Sequence, residues 1–386
     1  MNNRILFLSV ICIISFIGCK KQGSNDSITC IQGVNINETK YLSSIFKNPE
    51  IIRLETVDES LIGRSINKIK KLNNKYYISY NNAALVVFDR QGVFLRRIEK
   101  IGGGPGEYIS LVDFDVLPNG NIVIQDIRKL LFYSSTGEFI KAIPLTITCF
   151  NLKVIDDDNF LICASGEKYS IYLINGNGDI LAKQIETNNM PVLGRSVTFF
   201  ALGNDHILYQ QDISNDFLSF DTKKREFINT NLLCNEDNSL SIKNINKQKK
   251  REEKFNSLDY LDSNTGVKAI RGLSSYADYL FFAYGNQNSG FKCYLMNTSN
   301  NMIDCVLTEN TVDDISFTDT FSLLGKTSVS DSEDCFISYL YPYQIIDGLN
   351  DNKKLSELPN YQQLYSLFKG IQNIENENPV LIELRI

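Results

Sequence analysis

The chain has 386 residues, 43% of them hydrophobic and 22% charged, with a formal net charge of −6. That supplies apolar side chains for a sizeable core, and it excludes a nucleic-acid surface, since no basic stripe or aromatic–basic motif accompanies the acidic balance. There is no Trp against 23 Phe and 19 Tyr, which argues against a tryptophan platform for sugars, leaves tyrosine platforms open, and marks most of the aromatics as sheet packing.

In chain order, the first signal is a leader. Residues 5–17 are an apolar run after Arg4, too short to span a bilayer comfortably. Phe16-Ile17-Gly18-Cys19 reads as a lipobox, with Phe16 in place of the usual leucine. Residues 1–18 are therefore expected to be a lipoprotein signal peptide and Cys19 the lipid attachment site, so that the membrane partner is reached through acyl chains. Residues 19–45 are expected to be the lipidated cysteine and a polar tether. Lys20-Lys21 lacks the acidic cluster of a surface-export address, which favours the periplasmic face of the outer membrane over the cell surface. Residues 46–386 are expected to form one repeat-built domain, with insertions at about 232–268 and 350–376.

The repeat is clearest over 101–143. Gly102-Gly103-Gly104-Pro105-Gly106 cannot hold a helix or a central strand and is a connection. Residues 111–117, 122–125, 130–133 and 139–143 are four short strands, separated by Pro118-Asn119-Gly120-Asn121 and Ser134-Ser135-Thr136-Gly137 among other turns. The glycine of the last turn suits the left-handed position of a bulged hairpin. The same template fits 75–98, 159–185, 206–230 and 279–307; residues 335–345 and 379–386 supply two halves of a sixth copy. The last-turn residues Asp89, Ser134, Asn175 and Asp221 are spaced 45, 41 and 46 apart, the period of a propeller blade, which argues against a sandwich. The expected fold class is all-β: a six-bladed β-propeller of four-stranded antiparallel blades with short helical insertions. Radial packing then buries both faces of each sheet. Residues 379–386 or residues 50–55 should complete the last blade and bring the chain ends together.

The run GGGPGEY…LPNGNIVIQD…LLFYSSTGEFI resembles an NHL repeat. With Ile51-Ile52-Arg53-Leu54-Glu55 and Glu377-Asn378-Pro379-Val380-Leu381-Ile382, residues 45–386 resemble the six-bladed β-propeller lipoproteins of Gram-negative bacteria, an NHL/TolB-like group. The resemblance implies the fold and an envelope location. It implies no catalytic residues.

Two segments interrupt the repeat. In the first, residues 246–255 (NKQKKREEKF) have helical composition and a charge density that cannot fill a sheet core. In the second, Leu364, Leu367, Phe368 and Ile371 recur at i, i+3, i+4, i+7, one apolar stripe of a helix between the two halves of blade 6. Each segment either covers core or builds a ligand surface on one face of the disc.

Of nine cysteines, Cys12 leaves with the leader and Cys19 carries lipid; the seven others leave at least one thiol free. Counting out from a three-residue loop places Cys293 opposite Cys305 across a hairpin. No Cys/His spacing suggests a metal site, and the lone His206 sits at a strand start as a turn residue. Candidate channel or ligand residues are Glu107, Asp113, Asn151 and Arg271, the last three on innermost strands; pairing with backbone or with opposite charges is the structural alternative for each. The expected function is a binding or scaffold module for a protein, peptide or glycan, with no cofactor. The alternative is a metal-assisted hydrolase or lyase, sugar-lactonase-like, with calcium held at the channel. A channel filled by mutually paired side chains would favour the first.

Overall fold

The computed structural model describes residues 26–28, 41–186, 199–203, 205–210, 216–232, 269–286, 288, 290–299, 302–307, 311–371 and 374–386. The segment 246–255 lies outside the described residues.

Two strands precede the repeat: β1 (Asp26–Ile28) and β2 (Lys47–Arg53). Blade 1 is β3 (Ile66–Leu72), β4 (Lys75–Tyr80), β5 (Ala84–Asp89) and β6 (Phe94–Ile98). Blade 2 is β7 (Asp113–Val116), β8 (Ile122–Asp126), β9 (Lys129–Tyr133) and β10 (Phe139–Pro144). Blade 3 is β11 (Cys149–Val154), β12 (Asn159–Ala164), β13 (Tyr169–Asn175) and β14 (Ile180–Glu186). Blade 4 is β15 (Phe199–Leu202), β16 (His206–Gln210), β17 (Asp216–Asp221) and β18 (Glu226–Leu232), with β1 added in parallel at its rim. Blade 5 is β19 (Ala269–Tyr276), β20 (Tyr279–Asn286), β21 (Gly290–Asn297) and β22 (Met302–Leu307). After helix α1 (Thr320–Gly325) and a 3₁₀ turn (Lys326–Val329) come β23 (Ser330–Asp331), β24 (Phe336–Leu340), helices α2 (Pro342–Asp351) and α3 (Pro359–Phe368), and β25 (Val380–Arg385).

Blades 1 to 5 are antiparallel meanders in chain order. Blade 6 closes the ring. Its sheet runs β24-β25-β2, so the C-terminal strand is central and the N-terminal strand is outermost, both within one blade. Its innermost place falls to the 3₁₀ turn and β23, which pairs sideways in parallel with β3 of blade 1. Packing starts before residue 46: Leu42 and Phe46 are buried in the core between blades 5 and 6.

The last turns of blades 1 to 3 share one device. Asp89, Ser134 and Asn175 each accept two backbone N–H groups with a side-chain oxygen, from residues two and four further on. The glycine three residues on, Gly92, Gly137 or Gly178, has φ of +83°, +93° or +87°. Asp221 accepts from Lys223 and Lys224, and there Arg225 takes the left-handed place at φ +59°. These side chains recur because a tight turn needs local acceptors.

Among the described residues six apolar clusters, one per junction, fill the ring. Tyr77 and Val87 of blade 1 meet Phe114 and Ile124 of blade 2, for example. The strands between hub and rim are buried on both faces, so β5 reads as a continuous apolar run over 84–88 and β4 is interrupted only by Ser79 after Lys75, whereas the outer β10 is largely exposed. Helix α3 forms where the i, i+3, i+4, i+7 spacing predicts: Leu364 and Phe368 are buried, with Leu367 and Ile371 packed beside them on the core of blades 5 and 6.

One register differs. Cys293 pairs with Leu307, and Cys305 with Leu295. The loop is one residue longer than expected, since Asn297 pairs with Met302, and a bulge between Leu295 and Met296 adds another. The two shifts total two residues, so the alternation phase survives and the direct opposition does not. Cys293 is a free, buried thiol.

Candidate functional site

The hub is occupied by charge. Lys68 and Lys70 lie at i, i+2 on β3, and Asp113 and Asp115 at i, i+2 on β7, so each pair projects from one side of its strand. Lys68 Nζ is 3.1 Å from Asp113 Oδ1 and donates to the carbonyls of Phe114 (2.7 Å) and Leu152 (3.4 Å). Lys70 Nζ is 3.4 Å from Asp115 Oδ1 and 3.0 Å from Asp331 Oδ2. Lys153 Nζ, from β11, donates to both oxygens of Asp331 at 2.9 and 2.7 Å. All six side chains are buried, three cations against three anions.

The innermost strand of a blade has one sheet edge facing the channel, and its N–H and C=O groups need partners there. Asp113 Oδ2 accepts the N–H of Leu152, and Asp115 Oδ2 that of Val154, both at 2.8 Å. The hub charges thus stitch the edge of β11 to blade 2, as β23 covers the edge of β3.

Burial works against the carboxylate of Asp331, yet Lys153, Lys70 and Lys68 hold it far below the usual range. Asp115 is lowered likewise against its burial, chiefly by Lys70. Burial also opposes the charged forms of Lys68 and Lys70; the neighbouring aspartates outweigh it and raise both. Asp113 goes the other way, because its burial exceeds what Lys68 and the N–H groups return.

Of the sequence candidates, Asp113 belongs to this network and Asn151 sits on the adjacent strand, beside Leu152, which Asp113 engages. Glu107 does not join them. Its carboxylate accepts the Gly104 N–H at 2.7 Å, filling space that a Cβ on Gly102 would invade at 2.1 Å, and its carbonyl accepts from Lys129. The glycine run therefore makes room for its own carboxylate. Arg271 is on β19, its side chain outside the described residues. The signal that would have found Lys68, Lys70 and Asp115 was the i, i+2 repetition of charge at 68/70 and 113/115, although residues 66–72 were not recognised as a strand. Among the described residues no three His, Cys, Asp or Glu side chains group as for a metal ion.

One channel mouth, about 410 Å³, is lined by Lys70, Asp115 and Lys153 of this network together with Asn73, His206, Thr222 and Glu333. His206 starts β16, as expected, and its Nδ1 is 3.2 Å from Ser219 Oγ.

A larger cavity lies elsewhere, a cleft of about 1240 Å³ where the last blade meets the first. One wall is the connector 56–64, another Phe94, Arg96 and Arg97 of β6, and a third Tyr341 and Tyr343 at the start of α2, with Glu375 to Glu377 beyond. Asn378 fixes its base. Only 3% exposed, it donates to the carbonyls of Glu55 (2.7 Å) and Ser60 (3.0 Å) and accepts the N–H of Ile62 (2.8 Å). Tyr341 donates to the Gly63 carbonyl at 3.2 Å. Sequence reasoning missed this cleft because its walls come from both ends of the chain.

The architecture is that of a six-bladed β-propeller with a charge-filled hub and an open cleft at its seam. The chain belongs to the family described as "Domain of unknown function (DUF4934)", which matches residues 26–385. No curated protein matches the chain. Among solved structures it is similar to a protein of Bacteroides fragilis NCTC 9343 described as a candidate exported protein: 18% identity, 90% of this chain and 99% of the other, TM-score 0.69. It is also matched, with TM-scores of 0.34 and 0.37, by BamB from Moraxella catarrhalis (14% identity, 67% of this chain and 66% of that one) and by a protein of unknown function from Bacteroides caccae (11% identity, 63% and 85%). No helix among the described residues is long and apolar enough to cross a membrane.

Proposed function

We propose that this chain is a binding module of the cell envelope, anchored in the outer membrane through lipid on Cys19, and that its ligand or partner seats in the cleft between blades 1 and 6. The observation that carries the reading is the contrast between the two cavities. In the hub, ionisable side chains are spent on one another and on strand edges, which leaves little for general acid–base chemistry. In the cleft, aromatic and charged side chains line an open space on rigid elements. The lipobox and the lipoprotein-like, NHL/TolB-like sequence pattern support the location.

The test for binding is thermal melting of the purified domain with fractionated envelope extract. A ligand that binds only the folded state raises the melting temperature. At least one fraction should do so, and Tyr343→Ala should abolish the rise. A rise that survives Tyr343→Ala but disappears when Asn73 and His206 are both replaced by Ala would move the site to the channel mouth. For the anchor, Cys19→Ser should abolish labelling by a palmitate analogue; retained labelling would overturn it.

A further inference from the structure

We propose that the cleft takes an uncharged oligosaccharide, with Tyr343 as the platform for a sugar ring and Arg64, Asp58 and Glu375 as partners of its hydroxyls. This rests on the cleft being the binding site.

The platform is built in advance. Tyr343 is 43% exposed, and one face stacks on Tyr341, with ring centroids 5.9 Å apart and planes at 17°. Tyr341 meets Tyr339 edge-on at 6.1 Å, and its hydroxyl is tied to the Gly63 carbonyl. An aromatic ring held this way loses little rotamer freedom on binding. A sugar ring presents an apolar C–H face bordered by hydroxyls, and a half-exposed tyrosine at the edge of a polar cleft matches both parts.

The polar lining has both signs in planar groups. Among the described residues, Arg64 pairs with no carboxylate, and Asp58 and Glu375 pair with no cation. Guanidinium groups are donors only and carboxylates acceptors only. A hydroxyl is both, so neighbouring hydroxyls can satisfy the two kinds together. A ligand of strong net charge would be repelled by one set.

An extended peptide fits less well. It would add to the free edge of β6, but that edge is occupied where it enters the cleft: the Phe94 N–H donates to Glu55 Oε2, and the Glu55 N–H to the Gly92 carbonyl, both at 2.8 Å.

The chain contains no Trp, so Tyr343→Trp introduces a single indole reporter at the site. The probes are neutral gluco-, manno- and xylo-hexaoses, a hexagalacturonate and a neutral hexapeptide. The expected result is a saturable change in indole emission with at least one neutral hexaose, and weaker or no response to the uronate and the peptide. By calorimetry on otherwise unmodified protein, Tyr343→Ala should weaken that hexaose by about tenfold or more, while Tyr343→Phe, which keeps the stack, should not. Binding of the peptide or the uronate alone at the indole would overturn the sugar assignment and leave the cleft as a binding site. Silence across the panel overturns the inference; if envelope fractions then stabilise the Tyr343→Ala variant undiminished, the cleft reading falls with it.

Discussion

Asp331→Asn is the sharpest perturbation of the hub. It preserves volume and one acceptor but removes the anion that Lys70 and Lys153 share at 3.0 and 2.7 Å. Lys70 keeps Asp115 at 3.4 Å, and among the described residues Lys153 keeps no salt bridge. Leaving a buried charge without its partner costs about 3–5 kcal/mol, a large part of a domain stability of about 5–15 kcal/mol. Lys153→Met should cost less, about 1–2 kcal/mol, because Asp331 retains Lys70 and only the charge-assisted hydrogen bonds from Lys153 to its two oxygens are lost. Combined, the two substitutions restore a balance of two cations and two anions. The double variant should therefore be more stable than Asp331→Asn alone, with a coupling of about 1–3 kcal/mol. Urea denaturation followed by tyrosine fluorescence and by far-ultraviolet circular dichroism measures all four proteins. A double variant that loses the sum of the single losses, or more, would refute the idea that these side chains act as one charge-balanced set.

The hub also sets acid sensitivity. Asp331 and Asp115 have folded pKa values below the ordinary one, so the stability they confer is present above the unfolded value near 3.9 and is lost as pH falls below it; urea midpoints should hold from pH 7 to about 5 and drop below about 4, less steeply in Asp331→Asn. Gly92→Ala should cost about 2–4 kcal/mol in the same assay, since φ is +83° and the new Cβ would lie 2.1 Å from the Arg53 carbonyl oxygen, whereas Gly166→Ala, at φ +72° in open space, should cost about 1 kcal/mol. Asn378→Ala strands the buried groups it serves and should cost about 2–3 kcal/mol, with faster proteolysis within residues 55–62. Burial pushes the Cys163 thiol up to about 11 and Cys293 to about 12, so iodoacetamide at pH 8 should leave Cys149, Cys163, Cys293 and Cys335 unmodified in the native protein and label all four in guanidinium, by peptide mass mapping.

The blades were legible because their turns are local. Asp89, Ser134 and Asn175 each act within four residues, so their spacing survives as a visible period. Helix α3 was legible for the same reason. The hub was not: Lys68 meets Asp113 45 positions on, and Lys153 meets Asp331 178 positions on. No window on the chain brings such pairs together, and a lysine in a strand looks like a solvated one until the ring is drawn. The hairpin after β21 marks an intermediate case. Its strands were recognised, but a longer loop and a bulge moved the pairing by two residues without changing the face. The cleft was least legible, since residues near 60, 95, 342 and 376 meet only after the ring has closed.

The ring is closed at two radii, by β2 with β25 at the rim and β23 with β3 at the hub. A seam held at one radius opens by peeling, bond after bond, over a low barrier. Here a rotation that releases the rim still leaves the hub joined, and the reverse holds too, so both must give way in one event. Its signature is a slow unfolding rate and scan-rate-dependent melting, a matter of lifetime more than of equilibrium. A molecule lodged in the cleft spans that same seam. Its residence would lengthen the time the ring stays shut, so an occupied propeller should outlast an empty one among proteases by more than its affinity alone would indicate.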